Sequence, residues 1–221
     1  MKFVLWIAGI VAAVAALLWL SSPTHTFRYR LTLEIDDGVV HSGSSVIEVS
    51  LQEKPGWFPG SSGITPSLKG EAVVVDLGSK GLLFALLTPD DRTGSPPLYE
   101  LPLKLVAGRG TSFAEALRKM KSSKSPVPIP RETLPMLVRF RDINDPKTVE
   151  RVDPGKIDAS FGPGVSLKSA TFQVTDDPVT KGIAKRLPWL GTVGSGMLDG
   201  QRYHVSNDLA NNLTVNDLEI P

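Results

Sequence analysis

The chain has 221 residues, which is enough for one large domain or two small ones. Its 24 basic and 23 acidic residues leave a formal net charge of +1, so charge gives no case for nucleic-acid binding. The absence of cysteine excludes disulfides, thiolate metal sites, a cysteine nucleophile and a lipidated cysteine. The 41% of hydrophobic residues indicates a globular protein, and the 20 glycines and 18 prolines favour a loop-rich fold with β-strands.

The first twenty residues carry the strongest signal in the sequence. An uncharged run of 18 residues extends from Phe3 to Leu20, which is near the minimum length of a helix that crosses a bilayer core. Trp6 and Trp19 lie near its ends, where interfacial aromatic residues are common. We therefore predict a transmembrane anchor over residues 1–22, with membrane contact through residues 3–20. A cleaved signal peptide and a buried core helix are the alternatives.

The charges beside this run leave its orientation open. Lys2 precedes the run, and Arg28 and Arg30 follow it, so the positive-inside rule is nearly balanced. A lysine directly after the first methionine is the layout of a signal segment and favours export. The expected arrangement is a single membrane crossing with the C-terminal region exported.

The stretch FRYRLTLEID alternates apolar and polar residues, which predicts a half-buried strand. Asp37 and Gly38 then predict a two-residue hairpin turn. The next stretch, VVHSGSSVIEVSL, is expected to return as the partner strand, with Gly43 as a bulge.

The returning strand contains His41, Ser44 and Ser45, which raises the question of a Ser/His site. On a regular strand His41 and Ser45 would lie about 13 Å apart, too far for a hydrogen bond. A catalytic pair is therefore not expected here. The following loop, KPGWFPGSSGITP, carries Trp57 and Phe58, which we predict as a contact surface if they are exposed. The alternative is that the loop folds back and buries both rings.

The middle of the chain contains a second hairpin and a helix. The apolar runs EAVVVDL and LLFALL flank the turn GSKG and predict a buried hairpin. The segment YELPLKLV is expected to be an edge strand interrupted at Pro102. Ser112 and Glu115 form a capping box that begins a helix over SFAEALRKM.

The segment KSSKSPVPIP predicts a linker over residues 122–130. It separates a β-rich region with one helix, residues 27–121, from an α+β region, residues 131–221; whether the two share one core is open. In the second region MLVRFR and VSLKSATFQVT predict strands, DPKTVERVD one or two helical turns, and DDPVTKGIAKRL a helix. The fold class expected is α+β: an N-terminal transmembrane helix followed by antiparallel β-hairpins and a few short helices.

The residues that could hold a metal lack the required spacing. His25, His41 and His204 form no zinc motif. The carboxylate-rich stretch DINDPKTVERVD fails as an EF-hand, because Lys147 replaces the glycine and Asp153 replaces the final glutamate. No catalytic, cofactor-binding or metal-binding residue is assigned, and no cofactor or small-molecule ligand is predicted.

The motifs YRLTLEI…GSSVIEV and LPMLVRFRDINDP…LPWL resemble those of a family of uncharacterised bacterial proteins with an N-terminal hydrophobic segment. The resemblance implies a bacterial envelope protein and transfers no activity. With it, the predicted location is the bacterial inner membrane, crossed once, with the C-terminal region in the periplasm. We expect a non-enzymatic role in binding or scaffolding, with a protein partner in the envelope. The alternatives are a membrane-tethered hydrolase with a dispersed Ser/His/Asp site, and an accessory protein of a prophage or mobile element, which gene neighbours would distinguish.

Overall fold

The structure is a computed structural model that describes residues 23–54, 63–108, 111–193, 196–201 and 206–221, together with Trp6 and Val14. It confirms a mixed α+β fold with mostly antiparallel sheets and few helices. The strands are β1 Thr24–Asp36, β2 Val40–Lys54, β3 Gly63–Glu71, β4 Val73–Asp76, β5 Leu82–Pro89, β6 Val127–Pro128, β7 Pro135–Phe140, β8 Val149–Val152, β9 Ser166–Val174 and β10 Glu219–Ile220. The α-helices are α1 Leu101–Ala107, α2 Phe113–Ser122 and α3 Asp158–Phe161. Single 3₁₀ turns are Gly78–Lys80, Arg131–Thr133, Pro146–Thr148, Ile183–Lys185, Leu209–Asn211 and Val215–Asp217.

The chain divides into two compact units. The smaller unit contains residues 1–26 and 49–67, and the larger unit contains residues 27–48 and 68–221. In the smaller unit the start of β1 meets the end of β2: the backbone N–H of Glu53 donates to the carbonyl of Pro23 at 2.9 Å. His25 Nε2 lies 2.7 Å from Glu53 Oε1 in the same unit.

The larger sheet has six strands in the order β10-β3-β2-β1-β9-β6. Strands β1 and β9 pair antiparallel, from Tyr29 opposite Val174 to Asp36 opposite Ser166. Tyr29, Leu31 and every second residue of β1 thereafter are buried, because alternate side chains of a strand point to the same face. The predicted alternation is therefore confirmed.

The turn between β1 and β2 is longer than the sequence suggested. Three residues, from Asp37 to Val39, lie between the strands rather than two. Gly38 has φ +100°, a conformation that glycine adopts without strain, and its N–H donates to Asp36 Oδ1 at 2.9 Å. The hairpin was predicted correctly, but its turn includes Val39.

The second sheet has four strands in the order β4-β5-β7-β8, all paired antiparallel. Its core contains three aromatic rings in edge-to-face contact. Phe84 lies 5.4 Å from Phe140, and Phe140 lies 5.3 Å from Trp189, measured between ring centroids. Such pairs add about 0.5–1.5 kcal/mol to the free energy gained by burying their area.

Three predicted elements differ from the structure. In the segment DPKTVERVD only Pro146–Thr148 is a helical turn, and Val149–Val152 form strand β8. The segment YELPLKLV contains helix α1 and not an edge strand, because Pro102 lies in the first helical turn, where its missing N–H costs nothing. The segment DDPVTKGIAKRL forms only the 3₁₀ turn Ile183–Lys185. Gly182, which precedes that turn, has φ +133° and so interrupts a continuous α-helix.

The stretch 122–130 contains β6, which pairs with β9. Strands that precede this stretch pair with strands that follow it in both sheets, as β1 does with β9 and β5 with β7. The division into a first region, a linker and a second region stays a prediction.

Gly43 of β2 is required by the close approach of β4. A Cβ atom built on Gly43 would overlap the carbonyl oxygen of Val74 and lie 2.9 Å from Cγ2 of Val75. Because Val74 meets it with backbone, the neighbour cannot rotate away as a side chain would. The absence of a side chain at position 43 therefore allows the backbone of β4 to lie directly against β2.

We expect Gly43→Ala to lower the free energy of unfolding by about 1–3 kcal/mol, because the added methyl group overpacks this contact. Urea titration followed by circular dichroism measures the change. Gly191→Ala is the matched control, since a Cβ at Gly191 meets no atom within 4 Å. Equal stability of the two variants would show that β4 accommodates a side chain at position 43.

Candidate functional site

The serines near His41 have structural partners. Ser45 is 1% exposed, and its hydroxyl donates to the backbone carbonyl of Glu71 at 2.6 Å. Ser44 is exposed and accepts a hydrogen bond of 3.4 Å from Arg30 Nη1. A nucleophilic serine needs a base to accept its proton, whereas the proton of Ser45 is directed at a carbonyl. The hydroxyl of Ser45 therefore ties β2 to the end of β3.

His41 belongs to a polar group at the β1–β2 turn, here called the turn cluster: Asp37, His41 and Lys80. Asp37 accepts at both oxygens, with Oδ1 3.0 Å from His41 Nε2 and Oδ2 2.6 Å from Lys80 Nζ. In the described part of the chain no serine hydroxyl hydrogen-bonds to His41. Asp37 and His41 are thus paired as the carboxylate and imidazole of a catalytic triad would be, but no serine hydroxyl of the described residues completes the set. The tethered-hydrolase alternative stays a prediction.

The turn cluster perturbs the titration of Asp37. The hydrogen bond from Lys80 and then that from His41 lower the pKa of Asp37 to about 2. The unfolded carboxyl would titrate near 3.9. Ionised Asp37 consequently favours the folded state above about pH 4, and this contribution is lost as the pH falls through about 2.

We expect Asp37→Asn to reduce the free energy of unfolding most above pH 4, with the difference from wild type shrinking between pH 4 and pH 2. Urea titrations at half-unit pH intervals measure it. Asp176→Asn serves as the control, because the Asp176 side chain is 99% exposed and its removal should leave the pH profile close to that of wild type. A pH-independent difference for Asp37→Asn would contradict the assignment.

An open groove of about 460 Å³ lies in the larger unit. It is lined by the ion pair Arg28–Glu48 and three segments: Lys69–Glu71, Pro178–Lys181 and Glu219–Pro221. Its volume is within the range of about 300–1,000 Å³ that ligand pockets occupy. Carbon atoms and charged groups of both signs line it, so it suits an amphipathic partner rather than a purely apolar one.

One wall of the groove, residues 178–181, is fixed to the sheet by two hydrogen bonds between Thr180 and the backbone of Val46. Thr180 Oγ1 accepts from the N–H of Val46 at 2.8 Å, and the N–H of Thr180 donates to the carbonyl of Val46 at 3.2 Å. Just before this wall, Asp177 Oδ2 receives a hydrogen bond of 2.6 Å from Arg30. The hydrogen bond from Thr175 has the largest effect on Asp177, followed by that from Arg30. Both lower the pKa of Asp177 and favour its ionised form.

The buried carboxylate of Glu71 fixes the far end of the same wall. Glu71 is 4% exposed, and its two oxygens accept from the N–H groups of Gly182 at 2.6 Å and Ile183 at 2.9 Å. These N–H groups begin a helical turn and have no partner within it, so a carboxylate is a suitable acceptor. Hydrogen bonds to a charged group contribute about 1.5–3 kcal/mol each.

Sequence reasoning missed this groove. Its residues come from positions 28, 48, 69–71, 178–181 and 219–221, which only the tertiary structure brings together. A signal for Glu71 did exist, because a lone carboxylate directly before the apolar run AVVV needs partners if it is buried.

The other sequence candidates have partners or fall outside the described residues. Trp57, Phe58 and His204 lie outside them. In the carboxylate-rich stretch, Asp142 and Asp145 accept local backbone N–H groups from Asn144 and Lys147, and Glu150 pairs with Arg139 and Arg141. The described residues contain no group of three or more His, Asp or Glu side chains that could hold a metal ion.

Comparisons with protein-family models, curated proteins and solved structures found no match for this chain. Among the described residues, no helix has the length and apolar character needed to cross a membrane. The uncharged run Phe3–Leu20 falls outside those residues, apart from Trp6 and Val14, which are both helical with exposed side chains. The N-terminal anchor stays a prediction.

Proposed function

We propose that the protein is a membrane-anchored component of the bacterial envelope that binds a protein partner and does not catalyse a reaction. The observation that carries this proposal is the uncharged run from Phe3 to Leu20. A helix of 18 residues is about 27 Å long, close to the thickness of a bilayer core. The inner membrane is the proposed location, with the C-terminal region in the periplasm.

The side chains of the two described residues in this run support the anchor. Trp6 is 68% exposed and Val14 is 49% exposed, although both are large and apolar. Apolar side chains left in water lose the free energy that burial provides, about 1.5–3 kcal/mol for a valine-sized group. A lipid environment would recover that free energy for both residues.

The groove in the larger unit supports the binding role. Lys69 and Lys181 are exposed at the groove. Among the described residues, neither lysine has an ion-pair partner within 4 Å. Val179 and Ile220 add apolar surface between charged residues. A peptide segment of a partner protein, with an acidic side chain for the lysines and an apolar side chain between them, is complementary to this arrangement.

The anchor is tested by placing charge in the run. We expect wild-type protein to remain in the membrane pellet after alkaline carbonate extraction and Ala13→Arg/Ala16→Arg to be released. Each arginine at a helix centre costs about 2.5–3.5 kcal/mol of insertion free energy. Ala13→Leu/Ala16→Leu, which alters size without charge, is the control and should stay in the pellet.

Two results would contradict the anchor. Release of the wild type by carbonate would remove the integral-membrane assignment, and an intact mass lacking the first residues would show a cleaved signal. Protease added to intact spheroplasts tests the orientation, because a periplasmic C-terminal region is digested and a cytoplasmic one is protected.

The binding role is tested at the groove by charge reversal. A photo-crosslinking residue replacing Val179 is expected to give a discrete adduct in intact cells. Lys181→Glu should lower its yield about tenfold, equivalent to roughly 1.4 kcal/mol, because the acidic side chain of the partner is repelled.

Lys185→Glu is the matched control for that experiment. Lys185 is exposed, lies four residues further along the chain and does not line the groove. Equal adduct yields from the two charge reversals, or no adduct in the wild type, would count against a partner in the groove.

A further inference from the structure

Positive charge is concentrated in the segment that contains α1 and α2. Residues 100–124 hold six basic and two acidic residues, although the net charge of the full chain is +1. Four of the basic residues occur within seven positions, at Arg118, Lys119, Lys121 and Lys124. We call these four residues the basic helix surface.

The fold turns these charges outward. Ala116, Leu117 and Met120 of α2 are buried, so the apolar side of the helix packs into the protein. Arg118 and Lys121 lie three positions apart on the opposite side and are exposed. The side that faces solvent is therefore mainly charged, and Ala114, four residues before Arg118, adds only a single methyl group to it.

The carboxylates near this surface neutralise it only in part. Lys119 pairs with Glu115 at 3.1 Å, and Lys124 lies 3.7 Å from Asp176, with the side chains of both pairs well exposed. Pairs of this kind contribute little, because solvent and salt screen exposed charges. Within the described ranges Arg118 and Lys121 have no carboxylate within 4 Å, so their charge is available to an external anion.

We propose that the basic helix surface binds the anionic headgroups of a phospholipid bilayer. The proposal rests on the proposed membrane anchor, which would keep the protein at a lipid surface. Charge complementarity favours lipid, since each lysine or arginine near an anionic surface strengthens binding about fivefold. A bilayer is favoured over a nucleic acid because the proposed anchor keeps the protein beside lipid, whereas charge alone suits either polyanion.

Since the apolar side of α2 packs into the protein, the interaction is electrostatic and peripheral. Screening shortens the range of exposed charges from about 10 Å at 0.1 M salt to about 3 Å at 1 M salt. Binding by the basic helix surface must therefore be lost at high salt, whereas an inserted apolar anchor is insensitive to it.

The absence of native cysteine permits a test on the full chain. Ser122→Cys, carrying a fluorophore at the exposed end of α2, is incorporated into lipid nanodiscs that contain a headgroup-attached nitroxide quencher. We expect quenching in discs of phosphatidylcholine with 30% phosphatidylglycerol and its loss in pure phosphatidylcholine or 1 M salt. Arg118→Gln/Lys121→Gln should shift the docking equilibrium about 25-fold toward the undocked state.

Lys147→Gln/Lys156→Gln is the matched control, because it removes the same charge at two exposed lysines elsewhere. Equal loss of quenching in the two double variants would overturn the assignment, as would quenching independent of phosphatidylglycerol or none at all. Salt-sensitive binding of a duplex DNA probe through Arg118 and Lys121 would also overturn it.

Carbonate extraction and the quenching measurement together distinguish failure of this proposal from failure of the anchor. If carbonate releases the wild type while added protein still shows phosphatidylglycerol-dependent, salt-sensitive quenching, the anchor fails and the lipid-binding surface stands. If the protein stays in the pellet but the probe is not quenched, the anchor stands and the surface fails.

Discussion

The buried carboxylate of Glu71 is the interaction on which the larger unit depends. Glu71 is the last residue of β3, and the next residue but one begins β4 in the other sheet. Its carbonyl accepts from Ser45 of β2, its carboxylate accepts from Gly182 and Ile183, and its backbone pairs with Glu219 of β10. A carboxylate buried without partners would destabilise the fold, so the N–H groups of Gly182 and Ile183 are what permit the burial of Glu71.

The same residue explains why the groove has a defined shape. The wall at residues 178–181 has no regular secondary structure, and segments of that kind are usually mobile. Here hydrogen bonds at Thr180 and at Gly182–Ile183 hold the C-terminal end of the wall to β2 and β3, and the hydrogen bond from Arg30 of β1 to Asp177 holds the residue just before it. The surface is thus organised before any partner arrives, which reduces the entropy lost on binding.

Local sequence patterns correctly predicted those strands and helices whose signal lies within the element's own residues. The alternation that begins at Phe27 is one example, and the N-cap at Ser112, whose hydroxyl accepts the N–H of Glu115, is another. Helix α1 was missed because Pro102 is compatible both with an edge strand and with a first helical turn. The groove could not be predicted, since its charged residues are separated by up to about 190 positions and no local pattern records their approach.

The pairing of β1 with β9 also sets the order in which the chain can fold. Tyr29 pairs with Val174, so the middle of the six-stranded sheet cannot close until the chain has been synthesised at least as far as residue 174. At about 5–20 residues per second, roughly 7–30 s separate the two strands on the ribosome. During that interval the edge of β1 that later meets β9 lacks its partner and can pair with other chains. Non-local pairing of this kind also slows folding, so the edge of β1 is exposed to intermolecular pairing for longer than an edge closed by a local hairpin.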